Sequence, residues 1–154
     1  MPKINLEHIA QTNATGYPPP FDKEVAGRHY RRLSPPSELT QMGASHVTLK
    51  PGAWSSQRHW HAGEDELVIM LSGEAVLVED GGEEILRVGD IAAFPAGEEN
   101  GHHLQNRSDE DCVFIAIGTG DRSKGGSYPD IDMVFREDGY FTKDGERYDT
   151  ERIA

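Results

Sequence analysis

The 154-residue chain carries 15 Lys and Arg against 27 Asp and Glu, a net charge of −12, with 36% hydrophobic residues, 17 glycines and 9 prolines. That length suits a single domain with one real core, and the acidity argues against a phosphate backbone or an anionic membrane as partner. A single cysteine, Cys112, excludes an intramolecular disulfide, and no apolar run reaches membrane-spanning length or forms a leader at the start. The expectation is a cytoplasmic chain that binds a small molecule, with no nucleic-acid and no membrane partner.

Residues 1–42 contain "YPPPF" and "SPPSE", whose prolines break any sustained helix. They read as an extended N-terminal arm packed along the domain, with one short helical turn around Asp22 to Ala26 capped by Asp22. From Gly43 the pattern changes to short apolar runs: "SHVTLK", "ELVIML", "EAVLVE", "EEILRV", "DIAAF", "HHLQN" and "CVFIAIG". Each is a candidate strand, and the separators are too short for crossover helices, so the sheet should be largely antiparallel. "ELVIML" and "VFIAI" are apolar on both faces, as central strands are, whereas "HVTLK" alternates and has one wet face. An all-β small barrel or jelly roll over residues 43–135 follows. "IDMVF" reads as a further strand, and residues 136–154 as a loosely packed C-terminal extension of hairpin-like turns.

In "RHWH", His59 and His61 lie two apart, so in extended chain both imidazoles project from one face and can converge on an ion, while Trp60 points away. The bland alternative is a pair of solvated loop histidines. The turn "AGED" resets the face, so alternation does not choose among Glu64, Asp65 and Glu66 as the accompanying carboxylate. Two histidines and a carboxylate make a facial set that leaves positions open for substrate. Further on, His102 and His103 are adjacent, so only one can join the pair. Cys112 reads as an inert buried thiol, and His8, His29 and His46 as structural or exposed. Arg28, Arg31 and Arg32 read as a solvated basic arm, the alternative being a rim that holds a phosphate or carboxylate.

Gly52, His59, His61, Glu66 and Gly73 follow one another at the spacing of the first cupin motif, Gly then His-x-His then Glu then Gly. Gly89, Pro95, Gly97, His102 and Asn106 follow the second, with four residues between Gly97 and His102 where the motif has two. The sequence therefore resembles the cupin superfamily, and in particular small single-domain cupins similar to sugar-phosphate (mannose-6-phosphate) isomerases. The resemblance implies a cupin jelly-roll β-barrel and one divalent ion, Zn, Mn, Fe or Ni, on His59, His61, Glu66 and His102, with His103 the fallback for the last. It also implies a metal-dependent isomerase of a sugar or sugar phosphate. An iron-dependent dioxygenase and a non-catalytic metabolite sensor are the alternatives, because the same donors suit all three. No general base is assigned. The ligand is a small, anionic or neutral molecule, and a homodimer paired through edge strands or arms is the default.

Overall fold

The computed structural model describes residues 2–149. Twelve strands follow in chain order: β1 Arg28–Arg32, β2 Gly43–Leu49, β3 Trp60–His61, β4 Glu64–Ser72, β5 Ala75–Glu79, β6 Gly82–Leu86, β7 Ile91–Phe94, β8 His103–Gln105, β9 Cys112–Gly120, β10 Gly126–Tyr128, β11 Met133–Arg136 and β12 Gly139–Phe141. All pairings are antiparallel and form three sheets, ordered β1-β2-β9-β4-β7, β6-β5-β8 and β12-β11-β10-β3. This is the expected antiparallel jelly-roll architecture, and no helix among the described residues is long and apolar enough to cross a membrane.

Alternation explains where the core lies. In β4 the even positions Val68 and Met70 are buried, and across the pair Cys112 and Phe114 of β9 join them. Val47 and Leu49 of β2 complete that face, against which Ala75 and Leu77 of β5, Leu86 of β6 and Leu104 of β8 pack from the three-stranded sheet. Each of the Val, Leu, Met and Phe side chains contributes about 1.5–3 kcal/mol by leaving water. The two all-apolar segments are the adjacent central strands β4 and β9 of the five-stranded sheet, as their sequence requires. Gly73, at φ 68, turns the chain out of β4; a Cβ there would meet the Asp111 carbonyl at 2.6 Å.

The two ends are more integrated than an arm and a loose tail. Residues 28–32 supply the edge strand β1, in register with β2 from Arg28↔Leu49 to Arg32↔Ser45. Residues 19–27 form a run of turns in place of the expected helical turn. A second buried cluster joins Tyr17 and Val25 from the N-terminal side to Tyr128 and Met133, with Phe21, Phe135, Tyr140 and Tyr148 packed on it. As far as residue 149 the C-terminal segment is therefore held by aromatic packing, Phe21 on Tyr148 at 6.2 Å among others, and the rest of the expected extension, 150–154, lies outside the described residues.

Candidate metal centre and cavity

The same alternation that buries Val68 and Met70 carries Glu66 and Glu64 to the inner face at the open end of β4, where the core gives way to a cavity. His59 and His61 arrive on the neighbouring extended segment. Its strand β3 is held by β10 through Trp60↔Ser127 and His61↔Gly126. Gly126 is required there, because a Cβ would stand 2.1 Å from the Trp60 carbonyl oxygen. His102 enters opposite, its backbone bridged to His59 in both directions at 3.2 and 2.9 Å.

The ring nitrogens converge. His59 Nε2 lies 3.0 Å from His61 Nε2, and Glu66 Oε1 stands 2.8 Å from His61 Nε2 and 3.7 Å from His59 Nε2. These three donors gather within 4.8 Å of one another, the one such metal-competent set found among the described residues. His102 Nε2 meets the other carboxylate oxygen, Oε2, at 3.0 Å, and stands outside that tight set. Its ring is clamped face to face on Phe94, centroids 3.6 Å apart.

The donor chemistry fits a divalent ion. His59 Nδ1 lies 2.8 Å from the Gln57 carbonyl, which only accepts, so Nδ1 carries the proton and Nε2 presents its lone pair. The 3.0 Å between His59 Nε2 and His61 Nε2 suits a proton or a cation shared by the two nitrogens, and ligands about 2.1 Å from one ion at a right angle stand about 3 Å apart. His61 Nδ1 faces Glu64 Oε1 at 3.3 Å but is out of line for a hydrogen bond. Burial alone would depress His61, yet Glu64 and Glu66 on either side outweigh it and push its pKa up to about 9. Glu66 is held well below the usual carboxylate range: the histidines on its two oxygens override its burial. Both shifts express one fact, that two inward carboxylates call for positive charge here.

In the sequence Glu64 was one of three carboxylates that alternation left open, and the resemblance passed the ligand role to Glu66; the structure makes Glu64 the second carboxylate of the cavity, at the same strand parity as Glu66. Asp65, between them, points out and accepts from the Ala96 amide. His103 turns from the cluster, its Nδ1 on the Ser56 carbonyl and its Nε2 on Gln105. Asn106 is a buried clamp, donating to the Leu49 and Glu110 carbonyls and accepting from Ser108. Arg58 faces away from the ion site, as alternation requires, and ties Asp80, Asp130 and the Gly101 carbonyl together beside His102. That tie, with Asn100 capping the Asp80 amide, is how the longer turn before His102 is held.

The cluster opens into a cavity of about 780 Å³, within the usual range for small-molecule sites. Its walls include Tyr17, Tyr128 and Tyr140, whose phenols burial keeps protonated, together with Arg28, Ser45 and Phe135. Composition gave no hint of this tyrosine wall, because its members come from opposite ends of the chain.

Comparison with known proteins agrees with this geometry. A model described as "Cupin domain" matches residues 45–118. A cupin-superfamily sugar phosphate isomerase from Silicibacter pomeroyi DSS-3 superposes with a TM-score of 0.90 and 38% identity, over 99% of this chain and 100% of that one. A provisional sugar phosphate isomerase from Acidithiobacillus ferrooxidans gives 0.67 and 25% over 73% of each chain. An oxalate-binding protein of Thermotoga maritima is 32% identical over 71 residues, 46% of this chain and 56% of that one, so the match spans little more than half of that relative. With both histidine motifs converging in the fold and a solved relative matched end to end, the chain belongs to the cupin superfamily.

Proposed function

We propose that this chain is a metal-dependent isomerase of a sugar or sugar phosphate, its ion held by His59, His61 and Glu66 with His102 as fourth ligand. The observation that carries the reading is Glu64, a carboxylate outside the ligand set that faces the same cavity. Proton transfer between carbons needs such a base; oxygen insertion does not. The sugar phosphate isomerase matched end to end supports the same class.

A bound divalent ion would polarise a substrate carbonyl and its neighbouring hydroxyl. Glu64 takes the proton from the carbon beside the carbonyl and returns it to the former carbonyl carbon. The hydroxyl proton passes to the former carbonyl oxygen, so atoms balance and no co-substrate is consumed. Tyr17, Tyr128 and Tyr140, kept neutral, offer hydroxyls to a polyol, and Phe94 and Phe135 restrict the histidine rings.

The test is proton NMR of phosphosugars in heavy water with the metal-loaded protein. Wild type should exchange the proton beside the carbonyl of at least one of them, and Glu64→Gln should lower that exchange about 100-fold or more while retaining its metal. Undiminished exchange in Glu64→Gln would remove Glu64 as base, and oxygen uptake in place of exchange would identify the iron-dependent dioxygenase. Non-catalytic binding is the second reading, favoured by the match to an oxalate-binding protein; it predicts ligand binding with neither signal.

A further inference from the structure

Strand β1 carries three arginines in five residues, and the fold separates them. Arg31 donates through Nε to the Ile9 carbonyl, Arg32 is exposed, and Arg28 alone of the three lines the cavity, beside Tyr30 of the same strand face. Arg28 Nη1 donates to the Ser55 carbonyl at 3.1 Å and Nη2 to the Ala14 carbonyl at 3.3 Å, and the guanidinium lies 4.9 Å over the Tyr30 ring. Its Nε is shut off from water with no partner.

Among the described residues Arg28 has no counter-charge. Arg58 and Arg107 are paired with carboxylates, whereas no carboxylate of the described residues forms an ion pair with Arg28. In a chain of net charge −12, a full cation is thus fixed in a cavity wall by two carbonyls and an aromatic face, none of which neutralises it. The other cavity arginines differ: Arg122 is 79% exposed and leans on Glu64 at 4.0 Å, and Arg136 lies over Phe141. The position is also right. Ser55, which anchors Arg28, precedes Ser56, whose hydroxyl lies 3.2 Å from His59 Nδ1. One short segment therefore carries both the arginine's anchor and the first cluster histidine.

We propose that Arg28 recognises an anionic group, a phosphate monoester or a carboxylate, on a polyhydroxylated ligand whose other end reaches His59, His61 and Glu66. This subsite rests on reading the cavity as a sugar or sugar-phosphate site. The guanidinium is held in place before the ligand arrives and still has uncommitted N–H groups, so charge-assisted hydrogen bonds form at little ordering cost.

Isothermal titration of the metal-loaded protein with glucose 6-phosphate, gluconate and glucose tests it. Wild type should bind at least one of the two anions about ten- to a hundred-fold more tightly than glucose, and the better anion identifies phosphate or carboxylate as the group read. Arg28→Met should erase that preference while leaving glucose affinity and metal content unchanged. Arg28→Lys, which keeps the charge and loses the fork, should retain only part of it and serves as the decisive variant should Arg28→Met not fold. A wild type without anion preference, or a preference surviving in the variants at full strength, overturns the subsite. Anion preference dependent on Arg28 without isotope exchange would instead overturn the isomerase reading and leave the subsite standing.

Discussion

Glu66 uses both carboxylate oxygens, one toward His59 and His61 and the other toward His102, so a single side chain ties the two histidine segments into one centre. Gln57 acts through its backbone: its carbonyl fixes which nitrogen of His59 faces the cluster. Its own side chain is held by Phe21 and Glu24, so residues of the N-terminal segment set the orientation of a histidine of the cluster. At the other extreme is Cys112, buried under Gly73 in the main core. Burial pushes its thiol pKa up to about 11, and since the thiolate is the reactive form, a disulfide reagent at pH 8 should label the native protein far more slowly than the unfolded chain. Labelling should quicken as pH rises toward 11. Rapid stoichiometric labelling of the folded protein at pH 8 would contradict its placement.

Among the elements, the strands legible in the sequence are those with enough apolar residues to mark a face: "ELVIML" as β4 and "VFIAI" within β9 became the central pair, and the His-x-His spacing put both rings on one side of the extended segment that ends in β3. The strands that escaped are β1 "RHYRR", β10 "GSY" and β12 "GYF". They are too short or too polar to carry a period, and their extended form comes from the partner strand each one meets. Glu64 escaped for a related reason, since β4 begins two residues earlier than the apolar run announces it. Arg58 is the clearest case of an element-level role invisible in sequence. It stands before β3 and joins it to the turn before β11 through Asp130, to the end of β5 through Asp80, and to the approach to β8 through Gly101. Arg58→Ala should cost about 1–3 kcal/mol, roughly 3–10 °C of melting temperature, and weaken metal retention through His102. A variant with unchanged melting temperature and metal content would show that the tie is not needed.

Seen whole, the molecule has two packed clusters with the cavity between them. The first, between the five- and three-stranded sheets, makes the scaffold that delivers Glu66 and His102; the second, built from residues near both ends of the chain, makes the tyrosine wall. This division explains why the histidine and carboxylate cluster could be anticipated from two motifs while the tyrosine wall could not. Ligand spacing is local and survives in sequence, whereas Tyr17, Arg28, Tyr128 and Tyr140 meet only after the chain has closed on itself. The net charge of −12 likewise says nothing of a cavity wall where Arg28 has no ion-pair partner among the described residues. Everything proposed for this cavity depends on an ion at its floor. The direct measurement is elemental analysis by mass spectrometry of protein purified without a histidine tag, wild type beside the His59→Ala/His61→Ala double variant, with circular dichroism to confirm that both are folded. The account predicts about one divalent ion per chain in wild type and nearly none in the folded double variant; equal metal content in the two proteins would contradict it.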